Sequence, residues 1–383
     1  MKYRQGTTIR RVKKMISYYA PAMIKAWIAY MVPVLYGALE IRPDSCSVMI
    51  TNRCNLRCIM CKQWRTPAGE ELSARQWFKA IDDMAAVGIK NIHFTGGEPL
   101  LREDIEEIIQ YACRKAMATG ITTNGILLTP ERLSRLVAAG LRSVALSMDA
   151  IGDAYSDIRG VERAFEKVKT AAESLSAMKM SGKIDAYINF TVMNESLGHV
   201  KEVKRFADSM HIPMAICLLD KSSIIFDIEK TRNDLWIRGG DELCRLKGMV
   251  DFLKKEKISD GKSLVTSRSG LDYIERYFAD PVQRRVPCIS SQTRIYAGPG
   301  GELMSGCLSM GTFGNIAQTP LAALLEDPKY RAAKKRMFYK ECGGCSCGYF
   351  LNLQLFLPTA IKEAGYKMSS RSKTNPGSGH DQR

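Results

Sequence analysis

The sequence predicts an α/β protein: a partial (β/α)6 barrel of parallel strands, followed by a small cysteine-rich C-terminal module. Three observations carry this. Between residues 47 and 218, short apolar runs of strand length alternate with longer amphipathic stretches. The polar residues able to do chemistry fall just after the apolar runs, at the end where parallel sheets keep their sites. Five of the cysteines lie from Cys288 onward, beyond the last of those units. A chain of 383 residues suits a barrel-sized unit plus a smaller addition, and 45% hydrophobic content is enough for a large core.

In order, Ser47 to Thr51 reads as a buried strand, and a loop with three cysteines follows. Ser73 opens a helix with Gln76 as its capping-box partner, and Gly88 stops it after Val87. Lys90 to Thr95 is the second strand, ending in Gly96-Gly97. Arg102 to Ala116 places Ile105, Ile108, Ile109 and Ala112 on one helical face. Gly120 to Thr123 is a short third strand running into Asn124-Gly125. Pro130 starts a helix that ends near Gly140. Leu141 to Met148 is the fourth strand, and Val161 to Met178 a long helix. Lys183 to Met193, Leu197 to Met210 and Met214 to Leu218 complete the series as strand, helix and strand. Apolar strands between amphipathic helices imply a parallel sheet covered by helices.

The predicted organisation is a basic, apolar helical segment at residues 1–45, the barrel at 46–220, a connector at 221–287, the cysteine-rich module at 288–350 and a largely disordered tail at 351–383. The end of the tail, Ser369 to Arg383, is rich in Ser, Gly, Asn and charge. Net charge is +16. Residues 1–14 carry Lys2, Arg4, Arg10, Arg11, Lys13 and Lys14 and no acid. Basic ends meet anionic lipid or nucleic acid, or are simply solvated arms; no motif calls for specific nucleic-acid binding. Residues 15–39 are unusually apolar, but Lys25 divides the run and Pro21 and Pro33 weaken a helix. The run therefore falls short of the roughly 20 uninterrupted apolar residues of a membrane span. Ile16, Tyr19, Met23, Trp27, Tyr30 and Val34 recur at helical spacing. One reading is a helix lying on a membrane surface, with peripheral contact through residues 1–40. The other is a helix packed on the barrel. The expected location is the cytoplasm, with membrane association added by the first reading.

Twelve cysteines in this length are too few for a disulfide scaffold, and their close grouping points to metal ligation in a reducing compartment. Cys46, Cys113, Cys217 and Cys244 stand apart and read as small buried side chains. Cys54, Cys58 and Cys61 are spaced C-x3-C-x2-C. Three thiolates at that spacing can hold three irons of a [4Fe–4S] cube and leave the fourth open. A closed cluster or structural zinc site needs a fourth ligand, and none is near in sequence. An open iron is a place for a substrate or cofactor to coordinate. Trp64 supplies an aromatic neighbour. Gly96-Gly97-Glu98-Pro99 begins 35 residues after Cys61; its glycines let the backbone approach a ligand closely, and Pro99 directs the exit. Thr122, Thr123 and Asn124 end the third strand, Ser147 and Asp149 the fourth, and Asn189 and Thr191 lie on the fifth. Arg159 can clamp a carboxylate with two hydrogen bonds. Each of these also has a plain reading as a capped turn or solvent-facing group, and Glu98 as a helix N-terminal acid.

The cysteine loop and these strand ends resemble the radical S-adenosylmethionine (SAM) superfamily, over roughly residues 46–350. The resemblance implies a TIM-like partial barrel in which Cys54, Cys58 and Cys61 ligate the cluster. It implies that the open iron binds the amino and carboxylate groups of S-adenosyl-L-methionine. One electron then cleaves the sulfonium, and the resulting 5′-deoxyadenosyl radical takes a hydrogen atom from an unactivated carbon. Gly96, Gly97, Glu98 and Pro99 match the segment that meets the SAM amino group. Ser147 and Asp149 resemble the ribose contacts, Arg159 the carboxylate contact, and Thr123, Asn124 and Asn189 further parts of the pocket. The implied redox partner is an electron donor such as flavodoxin or ferredoxin.

Cys288 and Cys307 bracket Ile295 to Met304, which reads as a hairpin with a Gly-rich turn. Gly314-Asn315-Ile316 and a helix from about Leu321 follow, then Cys342, Cys345 and Cys347. Two thiolates on a hairpin and two on a C-x2-C turn can converge on a second cluster, with zinc as the alternative metal. The region resembles the SPASM and shorter twitch extensions of radical SAM enzymes. That resemblance implies one auxiliary [4Fe–4S] cluster on Cys288, Cys307, Cys342 and Cys345, with Cys347 a rival fourth ligand. The spacing Gly301-x5-Cys307 is one residue longer than such extensions usually have, which leaves the hairpin turn open. A cluster closed by four thiolates passes electrons rather than binding substrate, which favours an oxidative reaction.

Three function classes follow. The first, favoured by the single auxiliary cluster and the apolar N-terminal segment, is a radical enzyme modifying a small-molecule, sugar or lipid substrate. The second is a peptide maturase, disfavoured because about 45 residues before the first strand are too few for a recognition domain. The third is a non-enzymatic iron–sulfur electron carrier, which has no need of an open iron. No general base is identified; Asp220 and Lys221, after the last strand, are the nearest candidates.

Overall fold

The structure is a computed structural model, and it describes residues 20–373 apart from residues 40, 68, 222, 224, 226–227, 260–262, 283–285, 309, 343–345 and 347–348. The six expected strands form: β1 (Ser45–Thr51), β2 (Asn91–Gly96), β3 (Ala118–Thr123), β4 (Leu141–Ser147), β5 (Asp185–Val192) and β6 (Met214–Leu218). Each pairs in parallel with the next. The crossover helices are α2 (Ala74–Ala86), α3 (Ile105–Arg114), α4 (Pro130–Ala138), α5 (Gly152–Arg159), α6 (Ala164–Met180) and α7 (Val200–Ser209). Their starts obey local chemistry. Ser73 Oγ accepts from the Gln76 backbone N–H, and Gln76 Oε1 accepts from the Ser73 N–H at 2.9 Å. Pro130 follows a Thr129 N-cap.

β1 is buried from Cys46 to Thr51, whereas β2, β5 and β6 alternate rather than running uniformly apolar. On β2, Ile92 and Phe94 are buried while Asn91, His93 and Thr95 are half-buried. On β5, Ala186, Ile188, Phe190 and Val192 are buried and Tyr187, Asn189 and Thr191 half-buried. The apolar set packs under the helices. Burial of each large side chain there contributes roughly 1.5–3 kcal/mol. The other set faces the concave side, where Ser47, His93, Ser143 and Tyr187 line a cavity of about 490 Å³ beside Arg294. A partial barrel leaves its lumen open, so that face tolerates polar side chains.

The cysteine-rich module continues the same sheet. β7 (Arg294–Ala297) pairs in parallel with β1, and β8 (Glu302–Met304) and β9 (Thr312–Asn315) follow antiparallel, giving the order β6-β5-β4-β3-β2-β1-β7-β8-β9. This covers the edge β1 would otherwise expose. The expected hairpin turn forms despite its longer spacing. Gly298 N–H donates to Glu302 O at 2.8 Å, and Asn315 Nδ2 donates to Gly300 O at 2.7 Å. Gly301 has φ +90°, and a Cβ there would lie 2.6 Å from Asn315 Oδ1, so glycine is required.

One expectation changes, and the connector gains definition. The connector is helical, with α8 (Ile228–Thr231), α9 (Gly240–Ser259) and α10 (Arg268–Ala279). It covers the far edge of the sheet: Val265 N–H donates to Met214 O at 2.7 Å. The tail is not largely disordered over 351–373. After α11 (Ser290–Thr293), α12 (Leu321–Glu326) and α13 (Pro328–Phe338), it forms α14 (Tyr349–Leu355) and α15 (Leu357–Lys373). The composition reading joined the polar end to an apolar stretch whose Leu353 and Leu355 are buried. Glu363 Oε1 also accepts from Ser269 N–H at 2.7 Å. Residues 374–383 lie outside the described residues.

The N-terminal helix α1 spans residues 20–31. Its inward face is Met23, Ala26 and Ala29, packed with Ile289, Phe338 and Leu355. The stripe read from the sequence therefore divides. Met23 turns inward, and Tyr30 meets Phe356 edge-on at 5.8 Å. Trp27 and Val34 turn outward, and Ile16 and Tyr19 lie outside the described residues. Among the described residues no helix is long and apolar enough to cross a membrane.

Candidate active site

The cysteine loop leaves β1 at Thr51 and is held on two sides. On one side is the end of β2. Gly97 N–H donates to Thr51 O and Glu98 N–H to Arg53 O, each at 2.8 Å. A Cβ on Gly97 would lie 2.0 Å from Arg53 O, and one on Gly96, at φ +132°, 2.3 Å from Thr51 O. The glycines therefore admit the cysteine loop itself. On the other side is the end of α5. Arg57 N–H donates to Arg159 O and Ile59 N–H to Ile158 O, each at 3.0 Å. Gly160, at φ +66°, ends the helix, and a Cβ there would lie 2.5 Å from Arg57 O. Trp64 Nε1 donates to Cys58 O at 3.2 Å, so the expected aromatic neighbour acts as a brace.

Glu98 is fully buried. Its Oε1 accepts from Leu100 N–H at 3.1 Å and Thr123 Oγ1 at 2.8 Å, and its Oε2 from Asn124 N–H at 2.8 Å. Burial pushes its carboxyl up to about 7, opposed by those hydrogen bonds. It caps the one-turn helix Pro99–Leu101 while joining the ends of β2 and β3. Three of about four acceptor positions are taken. A Glu98→Gln variant puts an amide N–H₂ against one of these donors. It should unfold about 1–3 kcal/mol more easily, read from the urea midpoint; an unchanged midpoint would contradict this network.

Asn124 extends the network to the cysteine loop. Its Nδ2 donates to Asn55 Oδ1 at 2.7 Å, and its carbonyl accepts from Tyr155 Oη at 3.3 Å. Asp149 and Arg159 form a buried pair. Arg159 Nη2 donates to Asp149 Oδ2 at 2.5 Å, and Asp149 Oδ1 accepts from Thr191 N–H at 2.7 Å. The ribose contact expected of Asp149 gives way to a different placement: it is fully buried, with both oxygens engaged. The two-bond carboxylate clamp expected of Arg159 is likewise reduced. Nη2 is spent on Asp149, Nη1 reaches Cys58 Sγ at 3.7 Å, and only the buried Nε has no partner. Ser147 and Asn189 are half-buried neighbours in register across β4 and β5, on the lumen side. Thr122 Oγ1 lies 2.7 Å from His93 Nε2 and is turned away from the cysteine loop network. Lys221 lies 3.7 Å from Glu229.

Asn55, Tyr155, Gly160 and His93 were missed. Gly160 alone carried a local signal, as a glycine directly after a helix-ending Arg. The others are defined only by partners far away in the chain.

The residues fit an iron–sulfur cube. Cys54, Cys58 and Cys61 are free thiols. Burial pushes Cys54 up to about 11 and Cys61 up to about 12, and each is raised further by the neighbouring cysteines. Such thiols ionise when a metal takes the proton's place. Among the described residues, no three His, Cys, Asp or Glu side chains converge as ligands of a single ion. A cube spreads its thiolates over separate irons. In the C-terminal module, Cys288 N–H donates to Phe338 O at 3.1 Å, and Asn352 Nδ2 reaches Cys288 Sγ at 3.6 Å. A Cβ on Gly306 would lie 2.4 Å from Ser290 O, so the chain before Cys307 is packed against the backbone two residues past Cys288. Cys342 is half-buried, four residues past the end of α13. Cys345 and Cys347 lie outside the described residues.

Comparison with known proteins agrees with this geometry. Residues 48–207 match the radical SAM superfamily. The chain is 36% identical over 121 residues to PqqA peptide cyclase of Bradyrhizobium diazoefficiens, covering 31% of this chain and 32% of that one. It is 33% identical over 166 residues to Fe-coproporphyrin III synthase of Methanosarcina barkeri, covering 43% and 41%. The matched segments thus span less than half the length of these relatives. The fold is similar to Streptococcus suis SuiB bound to precursor peptide SuiA, with TM-score 0.63, 16% identity, and coverage of 82% of this chain and 74% of that one. The cysteine loop and strands β2 to β5 lie within the matched segment, and residues 48–207 are those of a radical SAM domain by sequence.

Proposed function

We propose that this chain is an oxidative radical SAM enzyme acting on a peptide. The observation that carries the radical chemistry is the C-x3-C-x2-C loop, locked between the β2 glutamate segment and the buried Asp149–Arg159 pair. The family's cofactors are a [4Fe–4S] cluster and SAM. When bound, they supply a one-electron cleavage of the sulfonium and a 5′-deoxyadenosyl radical. Cys54, Cys58 and Cys61 would hold that cluster. The Arg159 guanidinium faces Cys58 and offers its Nε to an anionic group there. Glu98 keeps Asn124 and the end of β3 in place beside the loop. Cys288, Cys307 and Cys342 are the described candidates for an auxiliary cluster, which would accept the electron released on oxidation.

The peptide reading rests on the curated relative named for a peptide cyclase. It replaces the small-molecule, sugar or lipid reading favoured by the sequence alone. The porphyrin-pathway relative keeps a non-peptide substrate as the second reading. The proposed partners are a one-electron donor, the peptide, and a lipid surface met by α1. The test is anaerobic reconstitution with SAM and dithionite, scoring 5′-deoxyadenosine with and without peptides encoded beside the gene. Several-fold stimulation by one peptide is the expected result. No 5′-deoxyadenosine at all overturns the radical reading; stimulation by a porphyrin and by none of the peptides overturns the peptide reading alone.

A further inference from the structure

We propose that the outward face of α1 docks on an anionic lipid bilayer. The helix is apolar on two sides. Met23, Ala26 and Ala29 are covered by the C-terminal module. At about 100° per residue, Ile24, Trp27 and Met31 fall on a second face, centred roughly 130° around the helix from the first. They are 47%, 37% and 62% exposed, and the turn that follows adds Val32, Val34 at 86% and Leu35. Six of the eleven exposed large hydrophobic side chains among the described residues thus lie within residues 24–35. Scattered singly they would need no explanation; gathered on one face they mark a contact surface.

Charge selects the occupant. Lys25 lies on the same helix. Lys335 and Lys340 lie over the Tyr36 and Tyr30 rings, at 5.9 and 5.3 Å. The sequence leading into the helix carries six basic residues and no acid over residues 1–14. A second copy of the chain would set this basic rim against itself across a two-fold axis. Anionic headgroups complement it, while Trp27 suits the headgroup boundary. The contact is superficial, because no described helix can span a bilayer. The helix is fastened to the module, with Tyr339 Oη donating to the Ala29 carbonyl at 2.8 Å. Docking would therefore orient the whole protein on the surface.

The test is flotation of the full-length, cluster-loaded protein with phosphatidylglycerol-containing vesicles and with phosphatidylcholine alone. A Trp27→Glu, Met31→Glu double variant is run beside it. Both positions are exposed, so equal melting temperatures and iron content serve as the folding control. The expected result is flotation with the anionic vesicles, weakened by salt and reduced at least about tenfold in the variant. Parent protein that stays unbound, or a variant that floats equally, overturns the proposal. So does sedimentation in lipid-free buffer showing a parent dimer that the substitutions split, which would make the face a self-interface.

Discussion

An Arg159→Leu variant is expected to unfold about 3–5 kcal/mol more easily than the parent chain and to cleave SAM about ten- to a hundredfold more slowly. The stability effect follows from burial. The Arg159 and Asp149 side chains are 8% and 0% exposed, with the ionised atoms 2.5 Å apart. Removing the guanidinium strands a carboxylate with the Thr191 N–H as its remaining donor. The activity effect follows from the loss of the group facing Cys58. A double variant, Asp149→Asn with Arg159→Leu, separates the two. With no charge left to strand, most of the stability should return while SAM cleavage stays low. Urea midpoints and 5′-deoxyadenosine yields read the two effects. A single variant as stable as the parent refutes the buried pair. A double variant that recovers both makes Arg159 structural and removes its proposed contact with SAM.

Replacing Cys58 by alanine should lower iron by about four atoms per chain and bring 5′-deoxyadenosine to the uncatalysed background. The barrel should survive, because the change removes one small side chain and leaves the backbone bonds to Ile158 and Arg159 intact. Cys288→Ala is the matched control: it should lose the auxiliary iron and keep the first cluster's spectrum. Iron analysis and low-temperature EPR of both proteins distinguish these outcomes. Full iron and full activity in Cys58→Ala would remove the loop from the chemistry.

Both variants act where local and distant structure meet. The cysteine loop is rigid because the glycines of β2 and α5 allow backbone-to-backbone contact on either side of it. The sequence shows glycines at these positions, and the structure shows that the atoms they admit include the cysteine loop's own backbone. A requirement for a missing Cβ is visible in a sequence; the atom that would collide with it is not.

Short-range patterns along the chain specify the six strands, five of the helices between them (α2, α3, α4, α6 and α7), the capped starts of α2 and α4 and the three-cysteine loop. Each depends on residues a few positions apart, through side-chain periodicity, hydrogen bonds to adjacent backbone, or ligand spacing along one loop. The remaining features depend on contacts between distant parts of the chain. Glu98 meets Asn124 across 26 residues, Asp149 meets Thr191 across 42, and Asn352 meets Cys288 across 64. Distant contacts also decide that β7 extends the barrel sheet, that the apolar tail folds as helix, and that α1 covers one face and bares the other. Such pairings depend on which surfaces remain uncovered once the sheet has curved, and no local pattern in the chain encodes that.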